Sequence, residues 1–197
     1  MEITADAVKQ LRQTTGAGIM DCKNALKETD GNLEKAIEYL RKKGIAKAEK
    51  RLGRETKDGM IDSYIHPGSK LGVLLEVNCE TDFVAKTKDF KTFVHDVAMQ
   101  IAATNPMVVT RAELPQQIID KEMNIYKTQA QNEKKPEHIA EKIAAGRMEK
   151  FYQEVVLMEQ GFVKDPDKTI EQLLKEVIGK IGENISIRRF VRYQLGE

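Results

Sequence analysis

Tryptophan is absent from this chain, cysteine occurs twice and histidine three times, and no apolar run approaches membrane-spanning length. Each scarcity removes a class of function. Cys22 and Cys79 are solitary, without the CxxC or histidine spacing that zinc needs, so reduced, packed thiols are expected rather than a disulfide or a metal site. The first apolar positions are interleaved with Glu2, Asp6, Lys9 and Arg12, which predicts neither a signal peptide nor a membrane span and points to the cytoplasm. An excess of one charge is missing too. Lys and Arg number 32 against 31 Asp and Glu, so no bulk field draws the chain to nucleic acid or membrane.

Catalytic constellations are also missing. There is no G-x-S-x-G elbow and no H-E-x-x-H, while His66, His95 and His138 stand apart from one another. The carboxylates are spaced as i, i+4 helix pairing would space them. The expectation is a protein that is not an enzyme and carries no cofactor. Gly16 and Gly18 in TTGAGIMD invite a phosphate-loop reading, but Asp21 stands where a dinucleotide fingerprint needs its third glycine. No Gly-Lys-Ser/Thr comes after them either, so a tight helix–helix turn is the reading of these glycines.

What is present is helical periodicity broken by three strand-like runs. At 197 residues the chain can bury a sizeable core in one large or two small domains. Residues 1–44 read as three short helices with stripes Ala5-Val8-Leu11, Ile19-Cys22-Ala25-Leu26 and Leu33-Ala36-Ile37-Leu40, the last stopping before Gly44. Residues 45–57 read as a basic linker with a short helix, and 58–197 as an α+β core. In that core, residues 59–79 form a hairpin around His66-Pro67-Gly68-Ser69-Lys70. Ile185–Leu195 adds a third antiparallel strand, with Ile185, Ile187, Val191 and Tyr193 opposing Ser186, Arg188, Arg192 and Gln194. Helices are expected to about Asn105-Pro106, over 114–132, after Pro136 with an inner stripe of Ile139, Ile143, Phe151, Val155 and Met158, and from a Thr169/Gln172 capping box to Gly182. They cover one face of the sheet and leave the other for a partner.

The stretch GVLLEVNCETDFVAKTKDFKTF (72–93) organises the core. Val73, Leu75, Val77 and Cys79 alternate as a half-buried strand, after which Thr81 or Asp82 can cap a helix carrying Phe90, Val94, Val97 and Ile101. Seven residues back from Phe90 lies Phe83, so periodicity assigns this aromatic to the core, with an exposed probe as the alternative.

Three segments, LRQTTGAGIMDCKNAL (11–26), GVLLEVNCETDFVAK (72–86) and KIGENISIRRFVRYQLGE (180–197), closely resemble the elongation factor Ts family. Members are guanine-nucleotide exchange factors for elongation factor Tu in bacteria and organelles. The resemblance spans essentially the whole chain. It implies a ubiquitin-associated-like helical bundle, an α+β core, and a role in speeding GDP release so that GTP can load. It implies too that Thr81, Asp82, Phe83 and Val84 act at the exchange event, the Phe wedging between helices of the GTPase so that its magnesium loses its setting. Ile19 and Met20 correspond to the residues through which the bundle docks on the nucleotide-binding domain. On this resemblance Phe83 is exposed, which reverses the reading from periodicity. Longer members carry a second core half, a coiled-coil insertion and a C-terminal extension; this chain resembles the short members, which pair as homodimers. The rival reading is a helical interaction or RNA-associated protein, resting on the basic run Arg41–Lys57 and on Arg188, Arg189 and Arg192, which Glu49, Glu55 and Asp58 dilute.

Overall fold

The computed structural model describes residues 3–132 and 136–197. In chain order the elements are α1 (Ala5–Thr15), α2 (Ile19–Glu28), α3 (Leu33–Glu49), β1 (Asp58–Ile65), β2 (Leu71–Cys79), α4 (Asp82–Ala85), α5 (Lys88–Thr104), α6 (Gln116–Asn132), α7 (Glu137–Val155), β3 (Gly161–Phe162), β4 (Asp165–Thr169), α8 (Ile170–Ile181) and β5 (Ile185–Gln194). The fold is α+β, with an N-terminal three-helix bundle and a three-stranded antiparallel sheet ordered β1-β2-β5. Two compact units are built from interleaved segments. One comprises Met1–Met60, Asn78–Phe93 and Gln172–Ser186; the other comprises Ile61–Val77, Val94–Glu171 and Ile187–Glu197. No helix among the described residues is long and apolar enough to cross a membrane.

In the first unit, local chemistry sets the helix ends. The Thr4 hydroxyl accepts the Ala7 amide at the start of α1, and Asn32 accepts the Lys35 amide at the start of α3. The bundle core is Leu11, Cys22, Ala25, Leu26 and Ala36, with Ala7, Val8, Leu33, Tyr39 and Leu40 packed against it. Ala5 and Ile19, expected inside, are exposed: each is the first residue of its helix and lies beyond the end of this small core. Ile37 is exposed as well, and Tyr39 contributes to the core in its place.

The expected stop at Gly44 does not occur, because α3 continues to Glu49. The reason is α8. A Cβ on Gly179 would lie 2.6 Å from the Gly44 carbonyl oxygen, so the missing side chain of Gly179 lets the helix backbones touch at Gly44. Arg41 of α3 and Glu176 of α8 pair at 2.8 Å along the same crossing. Gly44 thus marks a crossing, and packing outweighs an intrinsic helix penalty of about 1 kcal/mol.

In the second unit, Val73, Leu75 and Val77 of β2 are buried on the same side as the helices, and Val94, Val97 and Ile101 of α5 are buried as their spacing predicts. Tyr64 of β1 meets His95 of α5 edge-on at 5.7 Å between ring centroids. The opposite face of the sheet carries Ile61, Ile65, Leu74, Val191 and Tyr193, all exposed. This corrects the expected alternation of β5, which keeps Ile187 inside but then changes phase. Arg192 turns inward, where its Nε donates to the Ala102 carbonyl at 3.4 Å and its terminal nitrogens donate to Glu197 and Gln194. A guanidinium tolerates such a site when acceptors meet its fork of N–H groups.

Two further departures concern α7 and the ribbon beyond it. The buried face of α7 is Ala140, Ala144 and Met148 rather than the expected larger residues; Ile139 is exposed and Met158 lies past the helix end. Small side chains, with Ala130 of α6, let this helical pair approach closely, so the large apolar residues do not mark its inner face. The β3–β4 ribbon has no strong strand signal. Buried Gln100 of α5 holds it by donating to the Gly161 carbonyl and accepting the Val163 amide.

The glycine crossing yields opposite expectations for its two partners. Gly179→Ala forces backbone apart and should lower the unfolding free energy by about 1–3 kcal/mol. Gly44→Ala meets nothing within 4 Å of its new Cβ and should raise it by about 0.5–1 kcal/mol. Urea denaturation of the two variants checks the pair.

Candidate functional site

The corner after β2 is where the sequence concentrates its candidate residues, and its geometry begins with a break in helix phase. Only Asp82–Ala85 form a turn of helix before the chain re-starts at Lys88. Thr87 makes the break: its hydroxyl donates to the Val84 carbonyl at 2.8 Å, and its oxygen accepts the Phe90 amide at 3.3 Å. Phe83 and Phe90 therefore belong to different helices, and counting seven residues back does not transfer burial. Phe90 is fully buried, whereas Phe83 is 78% exposed. The core assignment for Phe83 from periodicity is thus overturned. The missed signal is Thr87 itself, a good N-cap followed by Asp89 in the first turn.

The rest of the motif divides by direction. Val84 points inward and is buried. Asp82 is exposed and pairs with Lys86 at 2.6 Å, whose ammonium lies 5.9 Å from the Phe83 ring centroid. Thr81, expected as a possible cap, occupies the N-cap position but makes no side-chain cap bond. Its polar groups are engaged elsewhere: Glu183 accepts both its amide, at 3.0 Å, and its hydroxyl, at 2.7 Å. Its carbonyl accepts the Cys79 thiol at 3.1 Å. Sequence reasoning assigned Glu183 no role, since only the pairing of β2 with β5 brings it within reach of Thr81.

Ile19 and Met20 open α2 and are 56% and 65% exposed. Asp21 beside them turns inward to Lys43 and Lys47 of α3 at 3.1 and 2.9 Å, and hydrogen bonds first from Lys47, then from Lys43, hold its carboxyl below the usual range. The residue that rules out a dinucleotide fingerprint thus ties α2 to α3. Within this unit Lys180 joins the two candidate patches. Its stem lies over Gly16, where a Cβ would come within 2.6 Å of Lys180 Cε, and its ammonium meets Asp89 at 2.8 Å. Gly16 also needs its freedom at φ +67°.

The basic run finds carboxylates. Arg41, Lys42, Lys43, Lys47, Arg54 and Lys57 each stand within 4.0 Å of one, so the run is interspersed with negative charge. Among the described residues no group of three or more His, Cys, Asp or Glu side chains could hold a metal ion.

Cys79 is buried beneath the corner, and burial first, then the charge of Glu183, pushes its thiol up to about 11 from 9.0. The folded value exceeds the unfolded one, so this contribution to stability is intact below pH ~9 and is lost as pH rises toward about 11. Alkylation read by mass spectrometry should find Cys79 of the native protein unreactive at pH 8 and reactive after denaturation.

Sequence matches to known proteins run through the bundle, the corner and the last strand. The profile of the elongation factor TS family matches residues 5–197. The elongation factor Ts of Carboxydothermus hydrogenoformans is 57% identical over 195 residues, covering 99% of this chain and 90% of that protein. That of Moorella thermoacetica is 57% identical over 195 residues, covering 99% and 96%. That of Geobacter sulfurreducens is 57% identical over 197 residues, covering 100% and 91%. A match that runs through all three of these regions shows that the chain belongs to the elongation factor Ts family.

Proposed function

We propose that this chain promotes GDP release from elongation factor Tu in the cytoplasm, with Phe83 entering the GTPase and unsettling its magnesium site. The bundle, residues 1–44, docks through Ile19 and Met20, while Thr81, Asp82 and Val84 carry the corner that bears the ring. The observation that supports this reading most is the exposure of Phe83 on a corner whose flanking residues are bonded or buried. An aromatic in water gains nothing for its own fold, yet it has little rotamer entropy to lose and ample apolar surface to anchor in a partner.

No covalent chemistry is needed. Magnesium and the phosphate-cradling backbone dominate nucleotide affinity in a GTPase, so displacing the ion weakens the loaded state most. A factor that binds the empty GTPase more tightly than the loaded one lowers nucleotide affinity, and reciprocity makes nucleotide weaken the factor's grip by the same ratio. The measurement is release of a fluorescent GDP analogue from elongation factor Tu with and without this chain. Phe83→Ala should slow stimulated release by roughly 10-fold or more, the scale of an interface hot spot. Its unfolding free energy should change by less than about 0.5 kcal/mol, against about 3–5 kcal/mol for a core phenylalanine. Stimulated release that is unchanged in the variant would remove the wedge.

The exposed sheet face supports a homodimer. Ile61, Ile65, Leu74, Val191 and Tyr193 lie on three adjacent strands, with Tyr193 74% exposed, and a two-fold copy would bury such a patch against itself. Light scattering at micromolar concentration should return twice the chain mass, and Ile65→Lys with Tyr193→Lys should return the mass of one chain. A single-chain mass for the parent protein counts against the dimer.

A further inference from the structure

Phe83 gains little fixation from its own packing, and the turn that carries it is only four residues long. A helix of that length does not hold itself together in water. Orientation of the ring must come from the flanking backbone, and the unit that flanks it contains a reciprocal arrangement. Glu80 accepts the Asn184 amide at 2.6 Å, and Glu183 accepts the Thr81 amide at 3.0 Å. Each glutamate thus binds the backbone of the residue that comes after the other. Glu183 also takes the Thr81 hydroxyl at 2.7 Å, and Asn184 donates its side-chain amide to the Arg54 carbonyl at 2.7 Å. These bonds belong to neither a strand ladder nor a helix cap.

We infer that Glu183 is a positioning residue for nucleotide exchange: by holding Thr81 at both its amide and its hydroxyl, it presents the Phe83 ring in one orientation before the partner arrives. The inference rests on the reading of Phe83 as the wedge. Glu183 lies between α8 and β5, outside the corner segment, and acts through Thr81. A carboxylate is required because both Thr81 groups donate, and each carboxylate oxygen takes one of them. A glutamine keeps one acceptor and turns an N–H₂ toward the other donor. An anchor ordered in advance loses less freedom on engaging, so the loss should fall on the step in which the ring enters rather than on initial docking.

The test uses the full chain with elongation factor Tu and three variants: Glu183→Gln, Thr81→Val and Phe83→Ala. Hydrogen exchange of the free protein, read over residues 79–84, should quicken about 10-fold in Glu183→Gln with little change elsewhere, as expected for loss of one charge-assisted bond. Maximal stimulated GDP release should fall about 10-fold, while the factor concentration giving half the maximum shifts less than about 2-fold. Thr81→Val removes only the hydroxyl donor and should give a smaller loss of the same kind; combining it with Glu183→Gln should add less than the product of the two effects. Thr81→Val carries the test if Glu183→Gln does not fold. Faster exchange at the corner with unchanged maximal release overturns the inference, and so does slower release with unchanged protection. Phe83→Ala separates the two ideas: if it releases GDP as fast as the parent, the wedge itself is wrong, whereas a slow Phe83→Ala beside a fully active Glu183→Gln removes only the role of Glu183.

Discussion

Two carboxylates at one end of the sheet organise the first unit. Where β2 runs out at Cys79 and β5 begins at Ile185, Glu80 and Glu183 supply acceptors to the backbone amides of each other's neighbours. Charge-assisted bonds of this kind are worth about 1.5–3 kcal/mol each and are directional. Direction matters more than strength at this point. The chain must leave a strand, turn through Thr81 and enter a helical turn whose two middle residues face opposite ways, Phe83 outward and Val84 inward. Cys79 completes the arrangement from below, its thiol kept protonated by burial and by the charge of Glu183.

In the same unit α8 lies against the bundle. Gly179 lets the backbone of α8 touch that of α3 at Gly44, and Lys180, one residue on, runs over Gly16 to reach Asp89. Ile19 and Met20 come just after the Gly16 turn, and Phe83 precedes Asp89, so one lysine links the segments that carry the two exposed apolar patches. On the proposed reading both patches engage one partner, which requires holding them at a constant separation. Helix crossings and short ion pairs do this without large apolar burial, which a bundle of this size cannot supply.

The second unit is organised differently. Its sheet is covered on one side by helices and bears exposed apolar side chains on the other, on adjacent strands. Turning the half-buried Arg192 inward rather than Val191 is part of that arrangement. The phase change in β5 turns a guanidinium toward the Ala102 carbonyl and releases Val191 and Tyr193 to the open face. In the second half of the last strand the apolar residues Val191 and Tyr193 therefore serve an outward surface, while Ile185 and Ile187 in the first half stay in the core.

Much of this was legible in the chain. Alternation in Val73–Cys79, the Pro-Gly turn at 67–68 and the α5 stripe are local signals, because strand and helix periods and turn chemistry act over a few residues. So were the three segments that mark the family, two of which contain Ile19, Met20 and the corner residues Thr81, Asp82, Phe83 and Val84. What local pattern could not decide was which of two faces, or which of two partners, a side chain would meet. Gly44 is a crossing because Gly179 arrives from residues far along the chain, and Thr81 forgoes capping because Glu183, just ahead of the neighbouring strand, accepts its hydroxyl instead; Phe83 lies outside for a local reason, the restart at Thr87, which the count back from Phe90 passed over. Sequence alone determined the family and most of the elements, since those depend on neighbours along the chain; tertiary structure alone decided the bonding of Thr81 and the crossing at Gly44, since those depend on groups more than a hundred residues distant that only folding brings within range.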